Sequence, residues 1–213
     1  MPRLPFRPPR QLPWPLKPLD SAQTSLGYDN RARMVMRIRH ELLRGITPAM
    51  IDWWFRNIAG DMDVAGVRIC RYLVWHPLDH IHWALISPGP DGRVSAGCRF
   101  RIVEAFGRNP DFCIDVTETV TRLDVTGITL VGTRVGVEVS RLNHDFIAAE
   151  GGTQYVSMLR IGIGVPGLCR LVNPLMHRFV FPEAKGRAWL RHNVEEVGLL
   201  EHMLPALLPG GGT

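Results

Sequence analysis

The sequence predicts an α+β fold in which a curved antiparallel sheet wraps around a long C-terminal helix. One helix is indicated near residue 50, strand-like segments fill the middle of the chain, and a long amphipathic helix is indicated over roughly 182–206. With 213 residues, the chain is long enough for one domain with a substantial core. A sheet curved around a helix can also leave a deep cavity between the two layers.

The first helix is predicted by the segment ITPAMIDWWFRNI. Thr47 suits the N-cap and Pro48 the first helical position. Met50, Trp53 and Trp54 then supply a large apolar face. This combination is typical of a helix that begins at residue 48 and packs against a core.

Six strand-like segments follow, rich in β-branched and aromatic residues and bounded by Gly, Pro, Asn and Asp. They are 67–75, 83–88, 97–106, 112–123, 127–143 and 153–164. Several alternate polar and apolar residues, which is typical of a half-buried antiparallel sheet. The loops 88–93 and 107–111 are predicted to connect hairpins, and Gly127, Gly132 and Gly136 to mark bulges or bends.

Two helices are predicted after the strands. The first, within 165–181, is expected to break before Pro174, and the second to begin at Pro182. The apolar side of this long helix consists of Trp189, Leu190, Val194, Val197, Leu200 and Met203.

The composition excludes several classes of protein. The formal charge of +5 comes without a long Lys/Arg run or aromatics interleaved with basic residues, so nucleic-acid binding is not expected. No apolar run approaches about 18 residues, and the N-terminus lacks the apolar core of a signal peptide, so no membrane association is expected. Four scattered cysteines without a CxxC pair exclude a zinc ribbon and a redox motif. We therefore expect a reduced, soluble, cytoplasmic protein.

Residues 1–18 are rich in proline and are predicted to be an N-terminal arm preceding a single domain, 19–213. The arm is expected either to lie on the domain or on a partner subunit, with Phe6 and Trp14 as anchors, or to be disordered. A homodimer formed through the arm is one consequence of this hypothesis, and an interaction protein acting through its basic arm is another.

The strongest functional signal is a pair on the last helix, His192 and Glu196. Side chains four residues apart on a helix share a face, with Cβ atoms roughly 5–6 Å apart, so the pair can hold one cation. A surface His–Glu contact is the alternative. The alignment of the pair with Trp189 and Leu200 favours an inward orientation.

The segment YLVWHPLDHIHW adds three histidines beside a strand. His80 is the first candidate for a further metal ligand, with His76 and His82 as rivals, and Asp79 could orient a ligand imidazole. Glu118 is a fourth candidate, although strand phase alone does not decide whether Glu118 or Asp115 faces inward.

Two His and two Glu from three elements can form a four-ligand site for a divalent metal, which would make this protein an enzyme. Tyr72 and Tyr155 could donate hydrogen bonds to a bound oxygen ligand or simply fill the core. His144 could transfer a proton or lie in a turn.

These motifs together are similar to those of one family. The motifs are WWF after a Thr-Pro cap, Y-x-x-W-H-P-x-D-H, a mid-chain strand Glu and a late H-x-x-x-E. Over about residues 45–200 they resemble those of the diacetylphloroglucinol hydrolase and phloretin hydrolase family. The resemblance implies a helix-grip (Bet v 1-like) fold. It also implies zinc-dependent hydrolysis of the carbon–carbon bond between an acyl group and a polyhydroxylated aromatic ring, with an aromatic ketone as substrate.

The resemblance further implies roles for particular residues. The metal ligands that it implies are His80, Glu118, His192 and Glu196. The substrate-binding and catalytic residues that it implies are Tyr72, Tyr155 and, as a looser match, His144. The chain departs from the family at Trp83, where an Asn is expected. The alternative hypothesis is a non-catalytic protein of the same fold that binds an aromatic or hydrophobic small molecule.

Overall fold

The computed structural model describes residues 6–208 and contains a mostly antiparallel fold of strands and helices. The strands are β1 (Gln23–Tyr28), β2 (Met34–Arg44), β3 (Asp61–Val64), β4 (Val67–Cys70), β5 (His80–Ser87), β6 (Arg99–Ala105), β7 (Cys113–Asp124), β8 (Gly127–Arg134), β9 (Val137–Ala149) and β10 (Gly152–Ile161). The α-helices are α1 (Pro48–Arg56), α2 (Arg71–Trp75), α3 (Cys169–Phe179) and α4 (Glu183–Leu207).

Eight strands form one antiparallel sheet in the order β1–β2–β10–β9–β8–β7–β6–β5, and β3 and β4 form a separate hairpin. Helix α4 crosses the concave side of the sheet and buries its apolar residues, including Trp189, Val197 and Met203. The register shifts next to Gly132, where a bend was predicted. The predicted curved sheet around a long C-terminal helix is thus confirmed, and the fold is of the helix-grip, Bet v 1-like class.

Other sequence predictions were wrong. Strands β1 and β2 precede α1, whereas the sequence analysis placed the first strand after it. The segment 67–75 is not one strand, because it changes from β4 to α2 at Arg71. Residues 72–75 are all buried, and a short apolar run that is buried on every side has the same pattern in a strand as in a helix.

Helix α3 continues through Pro174, where a break was predicted. The neighbouring Asn173 anchors this part of the helix. Its amide donates to the backbone carbonyls of Arg31 and Ile163 at 2.8 and 3.1 Å and accepts the N–H of Ile163 at 2.8 Å. These tertiary bonds offset the local cost of the proline.

None of the helices within residues 6–208 combines the length and apolar character needed to span a bilayer.

The described part of the N-terminal arm, residues 6–18, lies on its own domain. Arg10 donates from its backbone and side chain to the carbonyl of Pro77 at 3.2 and 2.9 Å, and also to the carbonyl of His80 at 3.0 Å. Trp14 stacks on His202 of α4, with ring centroids 5.8 Å apart. The arm therefore contacts the loop that leads into β5. Residues 1–5 of the predicted arm lie outside the described residues.

The N-cap of α1 generates a prediction about stability. Thr47 Oγ1 accepts the N–H of Met50 at 3.3 Å, as the sequence predicted. Thr47→Ala should lower the free energy of unfolding by about 1 kcal/mol, because a helix N–H loses its partner. Thr133→Ala, at an exposed strand position, is the matched control and should change it by less than about 0.5 kcal/mol. Equal effects in urea unfolding would contradict the capping role.

Candidate metal centre and cavity

A cavity of about 140 Å³ lies between α4 and the concave side of the sheet. Most of its wall is apolar, with aromatic side chains from several elements. The polar residues in the wall are Tyr72, Glu104, Glu118, Ser140, His144, His192 and Glu196. A cavity of about 150 Å³ in another protein's apolar core binds benzene, so this space is large enough for one aromatic ring.

The hairpin β5–β6 brings the first two site residues together. His80 begins β5, and Glu104 is directly opposite it in β6. Both side chains are buried. His80 Nε2 lies 3.4 Å from Glu104 Oε1. The antiparallel register therefore creates a buried imidazole–carboxylate pair at one end of the cavity.

Helix α4 supplies the second pair, His192 and Glu196, one turn apart and both buried. Glu196 Oε2 lies 3.4 Å from His80 Nε2 and 3.8 Å from His192 Nε2. His192 Nε2 lies 3.6 Å from Glu104 Oε2. The helix thus places an imidazole and a carboxylate against the pair from the sheet.

These separations fit a tetrahedral site for a divalent metal. Nitrogen and oxygen ligands bind Zn²⁺ at about 2.0–2.2 Å, which places neighbouring ligand atoms of a tetrahedron roughly 3.3–3.6 Å apart. His80, Glu104 and His192 offer ligand atoms that all lie within 4.8 Å of one another. Glu196 stands beside both imidazoles as a fourth donor. The four residues could therefore hold one ion.

The hydrogen bonding of His80 provides a second test of this fit. Its Nδ1 lies 2.5 Å from the carbonyl oxygen of Tyr72, which can only accept, so Nδ1 carries the proton. Burial lowers the pKa of His80 to about 3, so the ring is neutral. The lone pair on the buried Nε2 then points towards carboxylate oxygens, and Nε2 has no hydrogen-bond partner among the described residues. The Nε2 lone pair and the carboxylate oxygens are all hydrogen-bond acceptors and repel one another, and a cation between them would give each of them a positive partner.

His192 is oriented by Asp79, which stands on the other side of the ring. His192 Nδ1 donates to Asp79 Oδ2 at 3.0 Å, so Nε2 is directed at the other ligands. This carboxylate–imidazole arrangement is typical of metal-binding histidines. Burial lowers the pKa of His192, but Glu196 and Asp79 outweigh burial and raise the pKa to about 9. The neighbouring carboxylates therefore favour the protonated, positively charged form of His192.

Asp79 is itself held by the turn after β6. Its carboxylate accepts the backbone N–H groups of Gly107 and Arg108 at 2.9 and 3.1 Å. Gly107 has a φ of 63°, a left-handed conformation that suits glycine. Burial alone would raise the pKa of Asp79, but the bonds with His192 and Gly107 hold it at about 2.

His76, Asp79 and His192 form a second group of possible ligands, but hydrogen bonds already occupy the atoms of His76. Its Nε2 donates to Glu195 Oε2 at 3.1 Å, and its Nδ1 accepts the N–H of Asp79 at 3.1 Å. These residues therefore hold His192 in position through Asp79 and are not themselves free to bind the ion. Glu195 is buried as well and holds His76 in place.

The structure places the four implied ligands at different positions. His80 and His192 form one group of possible ligands with Glu104, and Glu196 lies 3.4 and 3.8 Å from their Nε2 atoms, although neither Glu196 nor Glu118 belongs to a group of possible ligands among residues 6–208. Glu104 thus stands beside the two imidazoles, where the resemblance implied Glu118. Glu118 faces the cavity from β7 instead, whereas Asp115 pairs with Arg101 on the outer face at 2.7 Å.

Sequence reasoning missed Glu104, although a signal was present. In β6, Phe100, Ile102 and Glu104 occupy alternate positions, and all three line the cavity. A carboxylate on the apolar face of a strand was therefore visible in the sequence. The rival His82 belongs to neither ligand group and lies near the Arg101–Asp115 ion pair.

The three predicted catalytic residues occupy different positions. Tyr72 and His144 line the cavity, but the hydroxyl of Tyr72 donates to Glu104. His144 Nδ1 bonds with Ser157 Oγ at 2.9 Å, and burial lowers the pKa of His144 to about 3. Tyr155 packs beside His144, with ring centroids 5.2 Å apart, and its buried hydroxyl has no hydrogen-bond partner among the described residues. Tyr155 is not among the described lining residues of the cavity.

The fold and the site together define a helix-grip protein with an internal cavity and a cluster of histidines and carboxylates in its wall. No protein-family model and no curated protein matches the sequence. A solved structure of a protein from Rhodobacter sphaeroides is similar, at 14% identity and a TM-score of 0.50, with 87% of this chain and 100% of that chain covered.

Two further structures are more distant. Ara h 8.0201 is 9% identical, with 76% of this chain and 95% of that chain covered at a TM-score of 0.40. The di-domain ARO/CYC protein BexL from the BE-7585A biosynthetic pathway is 8% identical, with 77% of this chain and 50% of that chain covered at a TM-score of 0.40. At these identities, likeness concerns the fold alone.

The ligand assignment predicts different metal contents for two carboxylate variants. Purified protein should hold about one divalent ion per chain. Glu104→Gln should lose most of this metal, because an uncharged amide replaces a ligand, whereas the matched variant Glu118→Gln should keep it. Elemental analysis after mild purification measures both contents. Metal loss in Glu118→Gln with retention in Glu104→Gln would reverse the assignment.

The bond between Asp79 and His192 generates a prediction about metal affinity. Asp79→Asn should weaken zinc binding by about 10- to 100-fold, because the imidazole loses the carboxylate that orients it and raises its basicity. Asp111→Asn, at an exposed position in the nearby loop, is the control. Competition against a chelator of known affinity measures the change, and equal affinities for the two variants would refute the role of Asp79.

Proposed function

We propose that this protein is a metal-dependent hydrolase that cleaves the carbon–carbon bond between an acyl group and a polyhydroxylated aromatic ring. The observation that carries the proposal is the convergence of His80 with Glu104, His192 and Glu196. The last three of these residues line an apolar cavity. The ligand set is typical of zinc, and another divalent transition metal is a second option. The proposed substrate is a small aromatic ketone.

The cavity wall supports the choice of an aromatic ligand. Phe55, Trp83, Phe100, Phe106 and Trp189 supply ring surfaces around a space of about 140 Å³. An apolar cavity with a few convergent polar groups is typical of a small-molecule site. An aryl ketone would place its ring among these side chains and its acyl carbonyl towards the polar end formed by α4 and β6.

The reaction is a hydrolysis. A bound metal ion would supply Lewis-acid polarisation of the acyl carbonyl and a more acidic water. Water adds to the acyl carbon, the bond to the ring carbon breaks, and the electron pair stays on the ring. The ring carbon then takes up a proton, which gives an arene and a carboxylic acid. Hydroxyl groups ortho and para to the acyl group make that ring carbon basic enough to be protonated.

His144 is the residue that we assign to proton transfer. It lines the cavity, and its Nδ1 is held by Ser157, which fixes the ring. Tyr72 contacts the same cavity, but its hydroxyl is already bonded to Glu104 and therefore orients that ligand. Burial and the Glu104 carboxylate raise the pKa of Tyr72 well above its ordinary value, so this phenol remains protonated.

A non-catalytic protein that binds an aromatic or hydrophobic small molecule is the second candidate. The apolar wall of the cavity favours this function. Under this hypothesis, the histidine–carboxylate cluster would be structural and no product would form.

A turnover assay separates the two functions. Metal-loaded protein incubated with acylated polyhydroxybenzenes should release the free arene and the carboxylic acid, both measured by chromatography. His144→Gln should slow release by about 100-fold or more without loss of metal, because the neutral imidazole that can relay a proton, accepting it at one ring nitrogen and donating from the other, is removed. His82→Gln, outside the cavity, is the control. Tight ketone binding without any product across several acyl lengths would favour the binding protein.

A further inference from the structure

Three residues stand side by side across the sheet at a second polar position in the cavity. Glu118 in β7 is opposite Gly132 in β8, and Gly132 is opposite Ser140 in β9. Glu118 and Ser140 both line the cavity. The register thus places a carboxyl and a hydroxyl on the same face of the sheet, on either side of a glycine.

Gly132 is what allows the two side chains to meet. A Cβ atom at this position would lie 2.2 Å from Ser140 Oγ and 3.8 Å from Glu118 Oε1. The missing side chain leaves a space that Ser140 Oγ and Glu118 Oε1 face from the two neighbouring strands, and the Ser140 hydroxyl acts to lower the pKa of the Glu118 carboxyl. No other residue type leaves this space, so the glycine is part of the site.

This position is separate from the candidate metal centre. Glu104 is opposite Ile114, and Glu118 is opposite Phe100. The two residues are therefore four positions apart along neighbouring strands, so their backbones are offset by roughly 13 Å along the strand direction. The wall around Glu118 is apolar, with Val116 and Leu130 on the same face.

A buried carboxyl in such a wall needs partners for its oxygen atoms. The Ser140 hydroxyl can supply one hydrogen bond, and a carboxyl group offers about four lone-pair positions, so bonding capacity remains towards the cavity. Burial, followed by the charge of Glu104, raises the pKa of Glu118 to about 7. The group can therefore accept or donate a hydrogen bond near neutral pH, as a phenolic hydroxyl also can.

We propose that Glu118 and Ser140 form a second polar subsite, which binds the ring hydroxyl opposite the acyl group of the ligand. The assignment of the acyl group to the other end rests on the proposed function. The subsite itself requires only that a hydroxylated aromatic ring enters the cavity. It would make the cavity selective for para-hydroxylated rings over rings of the same size without the hydroxyl.

The test compares two ligands that differ only in this group, para-hydroxyacetophenone and acetophenone. Binding to the metal-loaded protein is followed by fluorescence of Trp83 and Trp189, which line the cavity. The wild-type protein should bind the hydroxylated ketone about tenfold or more tightly, since a hydrogen bond to a buried carboxyl is lost with acetophenone. Glu118→Leu should remove this preference while its affinity for acetophenone stays within about twofold.

Two further variants make the test specific. Ser140→Ala should reduce the preference, because Glu118 loses the partner that positions it. Asp115→Asn, on the outer face of the same strand, should leave the preference unchanged. Metal content is measured in every variant, since loss of metal from Glu118→Leu would place Glu118 in the metal centre and overturn the proposal.

Two binding results would also overturn the subsite. One is the absence of any preference in the wild-type protein, and the other is an equal loss of affinity for both ketones in Glu118→Leu, which a purely structural role would produce. The proposed reaction is tested separately with acylated polyhydroxybenzenes, so its failure there would leave the subsite standing, because the readout for the subsite is binding.

Discussion

The hydrogen bond between Asp79 and His192 connects the parts of the molecule on which the site depends. Asp79 follows α2, accepts two backbone N–H groups from the turn after β6, and bonds to the ring of His192 on α4. One carboxylate thereby fixes the end of a sheet strand relative to the long helix. The separation of Glu104 from His192 is a consequence of this connection, because the two residues belong to the elements that Asp79 joins.

The balance of buried charge explains why the centre suits a cation. Glu104 and Glu196 stand within 4 Å of two imidazoles, of which His80 is neutral. Burial raises the pKa of Glu196, whereas His192 opposes this shift. Burying carboxylates without compensating charge is costly, and a single imidazolium compensates for only one of them. A divalent ion would compensate the charge of both carboxylates and would thereby remove the cost of burying them.

The sequence predicted the elements whose signals are local. The long helix, its buried face and the inward orientation of His192 and Glu196 followed from helical periodicity, and the N-cap of α1 followed from Thr47 and Pro48. The choice between Glu104 and Glu118 did not follow, because it depends on the register of β5 and β6. Two bulges in β5 alter that register, and neither has a local sequence signal. Both residues face the cavity, so strand phase alone could not separate them.

The origin of the four candidate ligands in the chain has a consequence for folding. His80 and Glu104 come from one hairpin, whereas His192 and Glu196 lie on the last helix, and the bond from Asp79 to His192 spans 113 residues. Contacts of such long sequence separation form late, since they require closure of a large loop. During synthesis, the hairpin emerges well before α4 and can offer an ion only half of its ligands. Assembly of the candidate centre would therefore await docking of the C-terminal helix, so that metal binding would report this late step of folding.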